Sequence, residues 1–542
     1  MAKRRILLIE PGYKNKYPPL GLMKIAAYHG PHGKRDQVTF IKGTDARAHE
    51  TAWDRVYVTT LFSFEYKKIA ETIDYALGLV GGRSDRVFVG GIAASLMTAR
   101  FKAEPRWRGV RFISGLLTEP PAVALQLNKF SGDLYADDDD GMPIEDHIPD
   151  YEILDQIDYR YPVYDAYFAY ASRGCIRKCH FCGVPKLEGE QRDSASLTDY
   201  VNAIRARHGE KRDLTLMDNN VVASPRFREI IAEIRDLGFE AGATLKRTGE
   251  RVASKRRVDF NQGVDARILC KDPMYLRELA TISLKPLRIA FDHLGLKKPY
   301  EQAIRYSAEA GLNELSNYML YNFRDDPDDL FARMLLNVQL NEELGIRIWS
   351  FPMRYQPTDL PERTFVSNGW SRYQLRALQL VLQATHGVVS GAPDFFRRAF
   401  GDSAEAFRQI LLLPHHYIFN RDWYEHHGGR GELDDYLAAL GRLTPGLRQE
   451  LLAKLSSSHP SGFSRLRDDE LDPQLKSVLG FYVPISKTTE REIWKLRARK
   501  PQSAQAFVIP PPDEFVEDAG LNEEEPIVVG NRRVTDGKEM RL

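Results

Sequence analysis

Three of the four cysteines in this 542-residue chain fall within eight residues, in Tyr170-Ala-Ser-Arg-Gly-Cys175-Ile-Arg-Lys-Cys179-His-Phe-Cys182-Gly. Close spacing of soft thiolates, here CxxxCxxC, reads as a metal or iron–sulfur site. A tetrahedral zinc site wants a fourth ligand, and ferredoxin-type runs supply a fourth cysteine. The remaining thiol, Cys270, lies far downstream. Three thiolates on a cubane cluster would leave one iron open to an outside ligand. His180 could complete a zinc site, but it is cramped between Cys179 and Phe181. A disulfide is disfavoured by so few cysteines and by a start, Met-Ala-Lys-Arg-Arg, that leads into only a strand-length apolar segment.

The stretch resembles the cluster loop of the radical S-adenosylmethionine (SAM) superfamily. The resemblance implies a 4Fe–4S cluster on Cys175, Cys179 and Cys182, with SAM chelating the open iron through its amino and carboxylate groups. It implies one-electron cleavage of SAM to methionine and a 5′-deoxyadenosyl radical, fed by an electron donor such as flavodoxin or ferredoxin. Phe181 maps onto the ring that the family packs near the adenine. Tyr167-Phe-Ala-Tyr-Ala-Ser172 looks like the first barrel strand. One cluster is all the chain can build, because members with auxiliary clusters need further cysteines.

The length suggests several domains. Lys plus Arg number 76 against 75 Asp plus Glu, so net charge announces neither a nucleic-acid nor a membrane partner. No apolar run is long enough to span a bilayer, and free thiolates with an oxygen-sensitive cluster suit the cytoplasm.

In residues 1–145, apolar runs at Arg5–Glu10, Val38–Ile41, Val56–Thr59 and Val87–Gly91 predict strands, with helices over Leu20–Tyr28 and Glu65–Leu79. That alternation predicts a doubly wound Rossmann-like sheet whose ligand crevice lies at the carboxyl ends of the strands. Pro18-Pro-Leu-Gly-Leu, Val89-Gly-Gly and Ile148-Pro-Asp-Tyr resemble, in order, the cobalamin-binding-type domain that precedes many radical SAM barrels. The DxHxxG motif that gives cobalt a histidine is absent, and His29-Gly-Pro-His32-Gly33 lacks the aspartate in register. Two readings stay open, cobalamin held by shape alone or an empty scaffold that binds substrate. The Asp137–Asp140 run reads as a solvated linker.

Residues 146–360 continue the alternation. Helices are expected over Leu197–His208 and Pro225–Leu237. Strands are expected at Leu214–Met217, Val258–Arg267, Leu287–His293, Leu315–Asn322 and Ile346–Pro352. With the strand before the cysteines this makes six units, a partial (β/α)6 barrel in the resemblance. Parallel strands put their carboxyl ends on one rim. The resemblance assigns Asp218, Asn219 and Asn220 to the methionine amino group and Asp292 to the ribose or methionine moiety. Gln262 and Arg267 could reach the methionine carboxylate or the substrate. A polar residue satisfied within a strand-end turn is the plain alternative for each. The basic run Lys246–Arg257 could clamp phosphate or RNA, but without interleaved aromatics it reads better as a solvated loop. Cys270 is expected to be a buried, inert thiol.

Residues 361–509 are expected to be mostly helical, with helices over Tyr373–His386, Ala404–Leu413 and Leu433–Leu455. His386, His415, His416, His426 and His427 fit substrate contact or packing better than metal, since adjacent histidines on a helix diverge. Residues 510–542 read as a flexible acidic tail. The fold class expected is therefore α/β: a Rossmann-like domain, a radical SAM barrel and a helical C-terminal domain. The rival function is a metal-stapled nucleic-acid-binding or interaction protein, against which the rim residues argue. The substrate cannot be read from any short motif.

Overall fold

The computed structural model describes residues 3–119, 141–385, 387, 389 and 391–498. The Asp137–Asp140 run, His386 and the 510–542 tail lie outside them. The chain divides into two compact units. One comprises Met1–Arg288, Ala310–Leu312 and Pro357–Glu362, and the other Ile289–Glu309, Asn313–Gln356 and Arg363–Leu542.

The first unit opens with a five-stranded parallel sheet of order β2-β1-β3-β4-β5. Its strands are β1 (Arg5–Glu10), β2 (Gln37–Lys42), β3 (Arg55–Thr60), β4 (Val87–Gly91) and β5 (Arg111–Phe112). Ile6-Leu-Leu-Ile9 is wholly buried, as a central parallel strand covered on both faces requires. The helix Tyr66–Leu79 buries Ile69, Ile73 and Ala76 against Val56, Val58, Val87 and Val89. Each buried isoleucine contributes about 1.5–3 kcal/mol. Because β2 and β3 flank β1 on opposite sides, the strand order reverses between β1 and β3. That switch point is where such sheets open a crevice.

A second parallel sheet, of order β12-β9-β6, follows in the same unit. It is built from β6 (Ala166–Ala169), β9 (Asp213–Leu216) and β12 (Val258–Phe260), with Phe168 opposite Thr215 and Thr215 opposite Asp259. Two short hairpins decorate it. One pairs β7 (Ser172–Arg173) with β8 (Arg192–Asp193), and the other pairs β10 (Thr244–Leu245) with β11 (Ser254–Lys255). The expected strand Val258–Arg267 stops at Phe260. Asp265 instead caps a short helix, Ala266–Leu269, by accepting from Arg267 N, so side-chain capping overrides the apolar run there.

The expected strand Leu287–His293 is shared between the units. β13 (Leu287–Arg288) belongs to the first, and residues 289–291 belong to the second. In the second unit β14 (Glu314–Tyr321) pairs in parallel with β15 (Arg347–Arg354), and Ile289 N and Phe291 N donate to β14 carbonyls. The helix Pro327–Leu344 backs this pair, where Asn337 Nδ2 donates to Ser350 Oγ at 2.8 Å. Beyond it the chain is helical, as expected, starting with Arg372–Ala384 and its Ser371/Gln374 capping box. The expected helix Leu433–Leu455 is two, Arg430–Gly441 and Pro445–Ser457, because Pro445 cannot continue a helix and starts a new one behind the Thr444 cap.

His29 ends the helix Leu20–His29 in full burial, with Nδ1 2.8 Å from Asp36 Oδ2 and Nε2 2.9 Å from Tyr57 Oη. Burial, opposed by Asp36, pushes the imidazole down to about 4. A base lowered on folding contributes fully above its unfolded value and loses that contribution as pH falls through the folded one. His29 alone should therefore cost about 3 kcal/mol between pH 6.5 and 4. Thermal unfolding across that range should fall less steeply in His29→Gln; parallel curves would contradict the assignment.

Candidate functional site

The cysteines occupy a lobe pinched at its base by the β7–β8 hairpin. Gly174 turns into it at φ +76°, and a Cβ there would meet the Glu190 carbonyl at 2.2 Å, so the turn requires glycine. Cys175 N donates to Gly189 O at 3.3 Å, tying the two ends together. Gly183 lies against Leu96 of the β4-to-β5 connection, where a Cβ would sit 3.1 Å from the leucine. Cys175, Cys179 and Cys182 are all half-buried. Arg177 N donates to Cys175 Sγ and Val184 N to Cys182 Sγ, both at 3.4 Å. Such donors favour thiolates. Burial, joined by the Asp265 carboxylate, pushes the Cys175 thiol up on balance, against the Arg177 amide and the Arg177 and Arg267 guanidiniums. Among the described residues no three His, Cys, Asp or Glu side chains are gathered as an ion would gather them. His180, the one candidate for a zinc fourth ligand, is exposed. Phe181, beside it, is half-buried.

The run at the end of β9 braces this lobe. Asp218, 1% exposed, accepts from Ala171 N at 2.9 Å, Ser172 N at 2.5 Å and Ser172 Oγ at 2.7 Å. Burial raises its carboxyl to about 6 against those three donors. Asn219 Nδ2 donates to Glu188 Oε2 at 2.9 Å, and Asn220 Oδ1 accepts from Asp265 N at 3.3 Å. All three residues expected at the methionine amino group thus spend hydrogen bonds on holding backbone and neighbouring side chains. Asp265 in turn holds two guanidiniums, Arg177 Nε at 2.7 Å and Arg267 Nε at 2.8 Å. Arg267 is therefore at the loop, whereas Gln262 is exposed in the turn after β12. Asp292 is half-buried in the second unit, just past residues 289–291.

Four charges that the sequence did not single out connect the lobe to the first sheet. Lys24 Nζ lies 2.9 Å from Glu145 Oε1, Arg173 pairs with Glu145, and Arg173 Nη1 lies 3.3 Å from Glu188 Oε1. Glu188 Oε2 also accepts from Gly174 N at 2.8 Å, and the Arg173 guanidinium lies 3.3 Å from the Tyr170 ring centroid. Burial lowers the Lys24 ammonium, while Lys24 and Arg173 together hold the Glu145 carboxyl down despite its burial. Only the three-dimensional fold brings residues 24, 145, 173 and 188 together, so no spacing could have announced them.

These charges line one wall of a crevice of about 230 Å³ at the carboxyl ends of β3 and β4. Its other walls are mainly apolar, including Leu20, Ile25, Phe88 and Ile113, with bare backbone at Gly90, Gly91 and Gly115. The lining residues include no histidine, and His29 is committed to Asp36 and Tyr57. Apolar walls with glycine backbone fit a face of a flat, bulky cofactor. Among the described lining residues there is no imidazole to offer cobalt.

The other candidates disperse. In the basic run, Arg247 pairs with Asp165 and Arg256 with Glu210. Cys270 is half-buried rather than buried, donating to Arg267 O. His415 stacks on Tyr373 and His416 is buried, while His427 pairs with Asp422 and His426 lies near Glu425.

No family model and no curated protein matches the sequence. Solved structures that are similar include the radical SAM methyltransferase TsrM from Kitasatospora setae with cobalamin and a 4Fe–4S cluster bound. It has a TM-score of 0.44 and 16% identity, covering 66% of this chain and 77% of that one. The apo cobalamin-dependent SAM radical enzyme OxsB has a TM-score of 0.42 and 14% identity, covering 92% and 80%. SuiB from Streptococcus suis bound to SAM has a TM-score of 0.27 and 13% identity, covering 41% and 47%. In its cysteine motif and its Pro18–Leu22, Val89–Gly91 and Ile148–Tyr151 stretches the chain resembles radical SAM enzymes with a cobalamin-binding-type domain.

Asp218→Asn would place an amide N–H₂ among three donors that need an acceptor. It should cost about 1–3 kcal/mol in denaturant unfolding and lower the iron retained after reconstitution. Unchanged stability and iron content would show that the brace does not hold the lobe.

Proposed function

We propose that the chain is a radical SAM enzyme whose first domain holds cobalamin by shape, acting as a methyltransferase on an unidentified substrate. The observation that carries this reading is the shared wall: Arg173, Leu187 and Glu188 line the crevice and belong to the cysteine lobe. A cluster on Cys175, Cys179 and Cys182 would supply the electron that cleaves SAM reductively, and cobalamin would supply the methyl group. Cys175 carries a backbone donor on its sulfur, which favours the thiolate, while burial and the Asp265 carboxylate hold its thiol up on balance, so a bound metal would have to displace that proton. Arg177 and Arg267, fixed by Asp265, keep positive charge beside the lobe and are placed to attract a carboxylate. Asp218, Asn219 and Asn220 position the loop rather than touch reacting atoms. Phe181 and Gln262 would complete the SAM contacts that the first unit supplies.

At about 230 Å³ the crevice is smaller than the roughly 300–1,000 Å³ of pockets that enclose a ligand. It would receive one face of the cofactor. In this reading residues 1–145 are the cobalamin-type domain, 146–360 the barrel, 361–509 the helical domain and 510–542 the tail. Flavodoxin or ferredoxin would serve as electron donor in a reducing cytoplasm. No helix among the described residues is long and apolar enough to cross a membrane. The internal ion pairs of Arg247 and Arg256 leave the nucleic-acid reading without an observation in its favour.

The test is anoxic reconstitution with iron and sulfide, then SAM and a low-potential reductant, with 5′-deoxyadenosine read by mass spectrometry. Formation of that product, lost in Cys179→Ala along with bound iron but without loss of secondary structure, is the expected result. Full iron content in Cys179→Ala would overturn the cluster assignment. Retention of added hydroxocobalamin through gel filtration, read by its absorbance, tests the crevice separately.

A further inference from the structure

The second unit carries a group of cations that the proposed chemistry leaves unused. Arg354 is the last residue of β15, at the carboxyl end of a parallel strand, where α/β folds place ligands. Its Nη2 donates to the carbonyls of Arg363 and Phe365, both at 3.2 Å, and its Nε is buried without a hydrogen-bond partner. Gln356, two residues on, has both amide atoms buried and unpartnered. The helix Arg372–Ala384 sets Arg372 and Arg376 one turn apart on one face. Arg376 is 7% exposed and donates to Ser458 O at 3.3 Å. Tyr373, between them in sequence, stacks on His415 at 4.5 Å, and His415 Nε2 is buried and unpartnered.

Among the described residues no ion pair joins Arg354, Arg372 or Arg376 to a carboxylate. The charges acting on them are largely one another. Burial, then Arg372 and Arg354, lowers the Arg376 guanidinium to about 10, and burial with Arg363 and Arg372 lowers that of Arg354 against Tyr321. Buried charge is ordinarily paired, and uncompensated like charge costs stability. Arg354 and Arg372 are half-buried, so solvent reaches the group. No carboxylate among the described residues answers this positive charge. Planar guanidinium forks match oxyanions, and a dianion answers several positive charges better than a single carboxylate.

We propose that Arg354, Arg372 and Arg376 form a subsite for a phosphate-class oxyanion, either free phosphate or the phosphoryl group of an organic ligand. The site stands independently of the radical reading and needs neither iron nor SAM.

The test is thermal unfolding of the full-length protein at constant ionic strength with inorganic phosphate, glycerol 3-phosphate or acetate. Phosphate should raise the melting temperature saturably, and acetate should not. Arg372→Gln, at a half-buried position, should weaken the phosphate midpoint at least tenfold. Arg376→Gln should do the same and, by relieving like-charge repulsion, raise the ligand-free melting temperature. If Arg376→Gln fails to fold, Arg372→Gln carries the test. A lower midpoint for glycerol 3-phosphate than for phosphate assigns the site to an organic ligand, and an equal or higher one assigns it to the free ion. Equal responses to acetate and phosphate, or an unchanged midpoint in Arg372→Gln, would overturn the proposal.

Discussion

Arg173 is the interaction on which the arrangement of the first unit turns. It leaves β7 directly before the cysteines, lies over Tyr170, and is held between Glu145 and Glu188. Glu145 is also the partner of Lys24, on the helix that follows β1. One guanidinium therefore connects the crevice wall, the linker and both ends of the cysteine lobe. Removing one member of such a buried set strands the others and costs about 3–5 kcal/mol, far more than an exposed pair would. The gain is positional. A lobe otherwise made of turns is held at a fixed place beside the sheet.

The Asp218-Asn-Asn220 run shows how a polar strand-end motif can serve geometry before chemistry. Each side chain meets backbone or side-chain partners across the lobe, and Asp265 extends the brace to Arg177. Preorganisation of this kind matters at a metal site, because ligands held loosely must be ordered when the metal binds. The cofactor would do the difficult chemistry, and the residues around it fix where that chemistry happens.

The first sheet was legible in sequence because buried parallel strands are short unbroken apolar runs. Arg5–Glu10 and Val87–Gly91 are found at the expected residues, and Leu197–His208 is a helix end to end. The cysteine loop was legible because its chemistry is local. What failed was local in appearance but decided at a distance or by a cap. Val258–Arg267 looks like one strand until Asp265 turns to cap a helix, and Leu433–Leu455 looks like one helix until Pro445 interrupts it. Glu145, Arg173 and Glu188 have no mutual spacing to detect. Gln262 lies exposed in the turn after β12, where its direction is set by the turn's backbone and not by strand alternation.

The account stands or falls on an open iron held by three thiolates. Electron paramagnetic resonance of the reduced, reconstituted protein tests this directly, recorded before and after stoichiometric SAM. A cluster with an unoccupied site should change its g-values and line shape on SAM addition, and the change should saturate near one equivalent per cluster. A spectrum indifferent to SAM, or a reconstituted protein that carries zinc and shows no iron signal, would contradict it.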